Sequence, residues 1–463
     1  MLPTYHPFLN EWVTFVVFLS VIALLIGLGE FSRGRLNWSP ETNRKLVHVL
    51  VGVLLLSSPF LFESRYPPVT LAILFIIVNV AALKSGKLAG IHGTARKTYG
   101  TVYFPTAFLF LSFFWWDQPI TLEISLLLLT FADTAAAAAG EHARTPERYV
   151  AWKDQKTVQG SVAMFLVSTV LIGFGTDFLY GLSGQGHLEL HILVPLSLFV
   201  ALLATVAEAV SSGGSDNLSV PMVTAIGYDL FLTSAHNGEV LILLSWILFS
   251  FAMALGAFRL NSLATDGALG AFVLGVFVFG IGKWKFMIPL GVFFVISSLL
   301  SQIRKDEKEV TRTAFGKGSK RDVVQVFANG GIPLLLAIWW FYTPSEWLYA
   351  IYLASVAAAA ADTWGTEVGF FSESPPRNSV TFKRVEPGVS GGVTLVGTLG
   401  ALAGSGVIAL TGLPFVANAG ILGWIIVAGF LASMVDSILG ATVQGSYQCA
   451  LCEKQTEMSV HCD

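Results

Sequence analysis

The chain has 463 residues, of which 54% are hydrophobic and 12% are charged, and its formal net charge is -3. Ordinary soluble domains carry about twice that charged fraction, so the composition excludes a water-soluble, fibrous or disordered protein. The small net charge and the lack of a basic block with interleaved aromatic residues give no indication of nucleic-acid binding.

Apolar runs of nearly the length of a spanning helix recur from end to end, and they predict an all-α, polytopic membrane protein with about fifteen transmembrane helices. In chain order the predicted spans are 12–29, 45–60, 68–83, 101–116, 122–139, 160–180, 192–210, 219–233, 240–258, 265–281, 284–303, 323–340, 346–362, 390–410 and 419–440. The first run follows polar and proline residues, without a basic segment or a small-residue cleavage site. We therefore expect a retained span and not a signal peptide.

The distribution of basic residues predicts the orientation. With the N-terminus outside, all but three of the 27 Lys and Arg residues fall on one face, the exceptions being Arg65, Lys283 and Lys285. This asymmetry predicts cytoplasmic basic loops, a cytoplasmic C-terminus and a multi-pass location in a cell inner membrane. The weak run 219–233 is kept because its removal would send the basic loop 304–321 outside.

An internal repeat relates the two halves of the chain, with an offset of 229 residues, or 228 for the last pair. The matched pairs are Asp133-Thr134 with Asp362-Thr363, Gly140 with Gly369, Ser161 with Ser390, and Glu208 with Asp436. We predict two parallel, non-inverted units, 1–238 and 239–463, the second ending in a tail at 445–463. Two eight-span units need sixteen spans, so the last span of the second unit is expected beyond Asp463.

Four acids mark the candidate sites. Asp133, Glu208, Asp362 and Asp436 each end an apolar run at the predicted cytoplasmic boundary. Any one of them alone could be an interfacial cap or an ion-pair partner, but their recurrence favours a function, because carboxylates at membrane depth are costly. Acids beside several cations indicate a site for a hard metal such as Mg²⁺ and a polyphosphate.

Basic residues and glycine patches near these acids are candidate phosphate ligands. The cations are Arg44, Lys45, His48, Arg96, Lys97, Lys153 and Lys156 in the first unit, and Arg304, Lys305, Arg321, Lys383 and Arg384 in the second. Anchoring to lipid headgroups is the alternative use of each cation. The glycine patches 211–217, 316–318 and 388–392 either offer backbone N–H donors or form turns. The chain has neither a P-loop nor a protein-kinase motif set.

All three cysteines lie in the last fifteen residues. Cys449, Cys452 and Cys462, together with His461, could complete a tetrahedral zinc site, the alternative being unligated thiols. The predicted cytoplasmic position argues against disulfides.

The first half resembles the phytol kinase and dolichol kinase family of CTP-dependent polyprenol kinases. The matching motifs are RKLVH at 44–48, ADT at 132–134 with Gly140, KTVQGS at 156–161, Glu208, and DNLSVP at 216–221. Gln159 departs from the family, which often has an acidic residue there.

The second half resembles the phytyl-phosphate kinase family of membrane proteins. The matching motifs are NSLATDG at 261–267, GKGSKRDVVQVFANG at 316–330, ADTWGTEVG at 361–369, GVSGG at 388–392, and VDSILG at 435–440. Members of that family usually continue into another hydrophobic segment.

These resemblances imply a natural fusion of two lipid kinases that use CTP and Mg²⁺. The first unit would convert an isoprenoid alcohol, of the phytol or geranylgeraniol type, to its monophosphate, and the second would convert the monophosphate to the diphosphate. A CDP-lipid synthase and a transporter remain alternatives, although transporters usually have inverted halves and midplane sites.

The resemblances also imply roles for individual residues. In the first unit Asp133, Glu208 and Asp216 would hold Mg²⁺, Asn217 would assist, and the phosphate contacts would come from Lys156, Arg44, Lys45, His48, Arg96, Lys97, Thr134, Lys153, Gly160 and Ser161. In the second unit Asp362 and Asp436 would hold the metal, with Asp266, Lys305, Arg321, Asn329, Thr363, Glu367, Lys383, Arg384, Ser390 and Gly391 around the nucleotide.

Overall fold

The computed structural model describes residues 2–5, 10–36, 39–85, 98–303, 320–445, 447–448 and 455–456. Its fold is all-α, with a few very short two-stranded hairpins. The chain divides into two compact units, Met1–Leu243 and Leu244–Asp463.

The described helices of the first unit carry the first half of the apolar sequence. They are α1 (Glu11–Leu36), α2 (Pro40–Leu55), α3 (Ser58–Leu61), α4 (Tyr66–Ser85), α5 (Gly100–Phe114), α6 (Pro119–Leu127), α7 (Asp133–His142), α8 (Val158–Leu182), α9 (Leu190–Ala209) and α10 (Asp216–His236). A hairpin of β1 (Arg148–Val150) and β2 (Gln155–Thr157) joins α7 to α8.

The described helices of the second unit follow from Val240 onward. They are α11 (Val240–Arg259), α12 (Thr265–Gln302), α13 (Val323–Tyr342), α14 (Glu346–Gly369), α15 (Leu395–Thr411) and α16 (Gly420–Thr442). The short strands are β3 (Arg377–Asn378), β4 (Gly392–Val393), β5 (Tyr447–Gln448) and β6 (Gln455–Thr456).

Twelve of the described helices are long and apolar enough to cross a membrane, which confirms the predicted class of fold. Each of the fifteen predicted intervals overlaps a helix. The number of predicted spans exceeds the twelve candidate spanning helices for three reasons. Helix α5 is apolar but short, and α14 is made less apolar by its tyrosines, Glu346 and Asp362. The intervals 265–281 and 284–303 are two helical segments that only Lys283 separates, and they are counted together as α12.

Helix α12 is broken in its middle. Lys283 has φ 51° and ψ -139°, which is non-helical backbone between two segments that are each long enough to span. A Cβ at Gly282 would meet the ring of Phe286 at 2.2 Å, so this break requires glycine. The sequence signal was the pair of basic residues, Lys283 and Lys285, between two apolar runs.

Two local signals move helix boundaries away from the hydropathy windows. Ser39 caps α2, because its Oγ accepts from the backbone N–H of Thr42 at 3.1 Å and Pro40 occupies the first helical position. Helix α2 therefore begins before the predicted span, and it includes Arg44 and Lys45. Similarly, α15 begins after Thr394, which caps it, so the glycine patch at 388–392 lies outside the helix.

Helices α6 and α7 are joined by a π-helical segment, Leu128–Ala132. Such segments insert an extra residue into the helical ladder and are frequent at functional sites. This one comes directly before Asp133, and the His48 ring donates from Nε2 to the Leu129 carbonyl at 2.9 Å. Helix α2 is therefore held against the start of α7.

In the second unit, glycines let α14 and α15 approach closely. Cβ atoms added at Gly397, Gly400 and Gly404 would meet backbone oxygens of α14 at 2.7 to 2.9 Å. The rest of the core is aromatic and aliphatic, with Tyr352 donating to the Phe286 carbonyl at 2.6 Å. The close contact of α14 and α15 brings the polar C-terminal end of α14 beside the glycine patch.

Candidate functional site

The site in the first unit is built around Lys156. Its Nζ lies 2.5 Å from Glu208 Oε1 and 3.5 Å from Asp216 Oδ2. The side chains are largely buried, with 16% of Lys156, 9% of Glu208 and 19% of Asp216 exposed. Asp133 interacts electrostatically with all three of these groups and with Arg44. The structure thus brings together three carboxylates and a lysine that are far apart in sequence.

Each of these side chains comes from the end of an element. Lys156 lies on β2 opposite Tyr149, directly before α8, whose first turn is capped by Thr157 through a 3.1 Å bond from Gly160 N–H. Glu208 ends α9, and Asp216 begins α10 after a tight loop. These element ends meet in the fold, so the charged groups converge there.

The pKa of Lys156 is raised from its ordinary value. Burial alone lowers this pKa, but the Glu208, Asp216 and Asp133 carboxylates outweigh the burial. The lysine is therefore a full cation at neutral pH. Its stabilising contribution is present below the unfolded-state pKa and is lost only as the pH rises through the higher folded-state value.

The loop between α9 and α10 is held in place by the hairpin and the start of α5. Gly213 N–H donates to Asp154 Oδ2 at 2.9 Å, and the Gly213 carbonyl accepts from Tyr99 N–H at 2.9 Å. Gly213 and Gly214 have φ values of 62° and 87°. The loop places Asp216 and Asn217 in the first turn of α10.

Replacing Gly214 with Ala is expected to destabilise the first unit. A Cβ there would meet Gly100 N at 2.6 Å and Thr98 Oγ1 at 2.4 Å, in addition to the positive φ. We expect about 1–2 kcal/mol from the backbone strain and about 1–3 kcal/mol more from the overpacking. The free energy of unfolding in detergent micelles measures the effect.

Gly186→Ala is the matched control, because Gly186 has φ 84° but has nothing within 4 Å of the added Cβ. Gly214→Ala should lower the unfolding temperature more than Gly186→Ala. Equal effects of the two substitutions would contradict the close packing of this loop on Gly100.

Other predicted residues of the first unit have different partners. Lys45 pairs with Glu141 at 2.6 Å, and Arg44 pairs with Glu41 at 2.6 Å while it also interacts electrostatically with Asp133 and Asp216. Lys153 is exposed and lies over the Trp152 ring. The other predicted residues contact neighbouring parts of the fold. The Ser161 and Tyr149 hydroxyl oxygens are hydrogen-bonded at 2.6 Å, and the Thr134 hydroxyl donates to the Thr130 carbonyl. Gly160 packs on the Ala136 carbonyl. Arg96 and Lys97 lie outside the described residues.

The second unit contains a cavity of about 840 Å³, within the roughly 300–1,000 Å³ range of small-molecule sites. Asp362, Asp436, Ser390 and Gly391 all line it. Ser379 fixes its wall, because its N–H donates to the Gly391 carbonyl at 2.8 Å and its Oγ donates to the Ser437 carbonyl at 2.9 Å. Gly391 has φ 76° and packs directly on Ala441. Asp362 and Asp436, the two acids that the sequence singled out in this half of the chain, therefore line one cavity.

Other predicted residues of the second unit do not line this cavity. Asp266 accepts from Val323 N–H at 3.1 Å and so joins the starts of α12 and α13. Arg321 and Asn329 line a smaller cavity of about 80 Å³. Glu367 is buried, Thr363 is half-buried, and Lys383 and Arg384 are exposed in the loop before the glycine patch. Lys305, and the proposed zinc ligands Cys449, Cys452, His461 and Cys462, lie outside the described residues.

Sequence reasoning did not single out three residues that shape these sites. Asp154 holds the Gly213 loop, Tyr149 lies opposite Lys156, and Ser379 links the glycine patch to α16. Asp154 could have been suspected, because it is an acid between two lysines in a basic loop. The other two make contacts that depend on hairpin register and loop path.

Within the part of the chain that the structure describes, no three His, Cys, Asp or Glu side chains are grouped so as to hold a metal ion. In the first unit the Lys156 ammonium lies between Glu208 and Asp216. The chemistry of these donors, hard carboxylate oxygens, matches the preference of Mg²⁺, which is usually held by one or two carboxylates plus substrate phosphates.

The fold and these charged sites define a polytopic helical membrane protein with carboxylate-rich sites at helix ends. Residues 248–463 match the family model described as Integral membrane protein DUF92. Protein PGR of Arabidopsis thaliana is 31% identical over 235 residues, which cover 45% of this chain and 81% of that protein. An uncharacterized membrane protein of Methanocaldococcus jannaschii is 30% identical over 195 residues, or 42% of this chain and 80% of that protein. The chain belongs to this DUF92 family of integral membrane proteins.

A more distant similarity points toward an enzyme. The phytol kinase of Synechocystis sp. is 25% identical over 195 residues, which cover 42% of this chain and 80% of that protein. No solved structure matches the chain.

Proposed function

We propose that the protein is a membrane kinase that transfers a phosphoryl group to an isoprenoid alcohol. The observation that carries this proposal is the cluster of Lys156 with Glu208, Asp216 and Asp133 at the ends of membrane helices. The similarity to a phytol kinase supports the substrate class. CTP as the donor rests on the resemblance to the polyprenol kinases.

The first unit would act mainly by positioning and charge neutralisation. Lys156 and Arg44 would contact the phosphates of the nucleotide, while Asp133 and Asp216 would hold Mg²⁺. When bound, Mg²⁺ would neutralise phosphate oxygens. The alcohol oxygen would attack the terminal phosphorus and its proton would pass to solvent water, while the bond from phosphorus to the bridging oxygen would break and the nucleoside diphosphate would leave.

Glu208 would keep Lys156 in place for this task. Its carboxylate is the nearer of the two lysine partners, and 9% of its side chain is exposed. A bound triphosphate offers Lys156 further oxygens on the Asp216 side, where the present contact is longer. Lys156 would thus bridge Glu208 and the nucleotide.

The second unit would phosphorylate the lipid monophosphate to the diphosphate. The cavity lined by Asp362, Asp436, Ser390 and Gly391 supports this assignment, as does the division of the chain into two compact units. Asp362 and Asp436 would be the metal ligands there. Both sites would face the cytoplasm, as the distribution of basic residues predicts.

A direct assay tests the proposal. The purified protein in lipid nanodiscs, with phytol, Mg²⁺ and each nucleoside triphosphate in turn, is expected to form phytyl phosphate and CDP from CTP, and then phytyl diphosphate. Mass spectrometry of the lipid and chromatography of the nucleotide follow both products. No lipid phosphate with any nucleotide would contradict the proposal.

The same assay separates the alternatives. A CDP-lipid synthase would release pyrophosphate in place of CDP when phosphatidate and CTP are supplied. A transporter would move substrate into proteoliposomes without any nucleotide.

A further inference from the structure

An apolar crevice in the first unit leads away from the charged cluster. Its walls come from one face each of α2, α4 and α5, with α1 closing the side. On α2 the lining residues run from Arg44 through His48 to Leu55, at the spacing of one helical face. Leu55 lies eleven positions after Arg44 in the helix, so the crevice extends about 16 Å along α2.

The crevice is polar only at the end near the cluster. Arg44, His48 and Asn217 lie at that end, whereas Leu55, Leu71 and Phe108 line the interior. Arg44 and His48 both interact electrostatically with Asp216, so this end of the crevice lies near the site around Lys156. An elongated molecule with one polar end matches this distribution.

The polar end has hydrogen-bonding groups without partners in the described part of the chain. Asn217 is 5% exposed, and its buried Oδ1 has no hydrogen-bond partner there. Buried Arg44 Nε is likewise unpartnered. Since unpaired buried polar atoms are costly, these groups indicate a ligand with a polar head.

We propose that this crevice binds the hydrocarbon chain of the isoprenoid alcohol, with the hydroxyl group at Arg44, His48 and Asn217. The proposal rests on the proposed function and adds where the acceptor lies. His48 donates from Nε2 to the Leu129 carbonyl, so its other nitrogen, in the neutral ring, can accept a hydrogen bond from the hydroxyl. The alcohol oxygen is then held beside the Lys156 cluster, where the phosphates would bind.

The volume of the crevice sets how much of the prenyl hydrocarbon chain it can enclose. Its volume is about 120 Å³, below the roughly 300–1,000 Å³ of sites that enclose a whole drug-sized ligand. Only the hydroxyl-bearing part of a long prenyl chain is therefore enclosed, and the rest lies along helix faces toward the lipid.

Ala72 gives a test that depends on chain length. Helix α4 runs back along α2 after a short connection, so Asn79 lies toward the polar end and Ala72 lies about 10 Å deeper. Ala72→Leu places a larger side chain at this depth in the crevice, and a five-carbon prenol is too short to reach it. We expect kcat/KM for geranylgeraniol to fall about tenfold or more, while kcat/KM for the five-carbon alcohol stays within about twofold.

Ala82→Leu is the matched control. Ala82 is 7% exposed and Ala72 is 1% exposed, both lie on α4, and only Ala72 lines the crevice. The control should leave the ratio of the two kcat/KM values unchanged. Because both alcohols are measured on the same preparation, partial loss of folded protein cancels from the ratio. An unchanged ratio in Ala72→Leu would overturn the proposal.

A labelling experiment separates this inference from the proposed function. A geranylgeraniol analogue with a diazirine near its hydroxyl end is photolysed with the wild-type protein in phosphatidylcholine nanodiscs, and labelled peptides are mapped by mass spectrometry. Labelling of α4 or α5 that excess phytol suppresses supports the crevice, even if the kinase assay fails. Labelling that phytol does not suppress, or labelling confined to other helices, overturns it, even if the kinase assay succeeds.

Discussion

Lys156→Gln is expected to lower the rate of isoprenoid-alcohol phosphorylation by about 10²–10³-fold. Lys156 is the cation that contacts both Glu208 and Asp216, and its raised pKa keeps it charged at neutral pH. A neutral amide cannot neutralise the charge of the transferring phosphoryl group. Initial rates with phytol, CTP and Mg²⁺ in nanodiscs measure the loss.

Arg148→Gln is the control for removing one positive charge from the same hairpin. Arg148 is exposed and contacts Gln155 at 3.3 Å. Its loss should change the rate by less than about twofold, as expected for exposed polar contacts. If folded Lys156→Gln protein kept more than a tenth of the wild-type rate, the assignment of the first site would be wrong.

For Lys156→Gln, a loss of folding stability must be separated from a loss of catalytic rate. Removing one partner of a buried ion pair leaves the other charge unpaired, at a cost of about 3–5 kcal/mol. The double substitution Lys156→Gln with Glu208→Gln removes both charges of the 2.5 Å pair. Its unfolding temperature should therefore exceed that of Lys156→Gln, while the phosphorylation rate stays low.

Asp133→Asn and Asp362→Asn are expected to remove different reactions. Asp133 belongs to the Lys156 cluster of the first unit, and Asp362 lines the cavity of the second. Asp133→Asn should lower phytol phosphorylation at least about 10²-fold and leave conversion of supplied phytyl phosphate nearly unchanged. Asp362→Asn should show the opposite pattern. Separate assays with phytol and with phytyl phosphate measure both rates.

Glu386→Gln is the control for the second unit, because Glu386 is an exposed acid in the loop before the glycine patch and does not line the cavity. It should leave both rates nearly unchanged. If Asp133→Asn and Asp362→Asn abolished the same single step, the division of the two reactions between the two units would be wrong.

Much of the fold could be predicted from the sequence, because the period and length of apolar runs directly reflect the membrane thickness. Every predicted span overlaps a helix, and the two basic residues at 283 and 285 marked the break in α12. Helix starts were less predictable, since they depend on caps such as Ser39 and Thr394 and not on hydropathy. The orientation in the membrane and the repeat of two units remain predictions.

The sequence indicated which residues belong to the sites more reliably than it indicated which side chains those residues contact. Asp133 and Glu208 were chosen as costly acids at the ends of apolar runs, and Asp216 was chosen from the resemblance to the polyprenol kinases; the structure places all three around Lys156. Lys45 and Lys153 were chosen by the same reasoning from charge, yet one pairs with Glu141 and the other is exposed. A juxtamembrane lysine has the same local sequence signal whether it faces a site, another side chain or the lipid headgroups.

Composition and apolar periodicity were enough to identify a polytopic helical membrane protein, and they drew attention to acids that are costly at membrane depth. The three-dimensional fold was needed to show that Lys156 contacts Glu208 and Asp216, and that an apolar crevice begins near them. The reason is physical. Burial in a bilayer acts on each segment separately and so can be read locally, whereas ion pairs and crevices arise where helix ends that are distant in sequence come together.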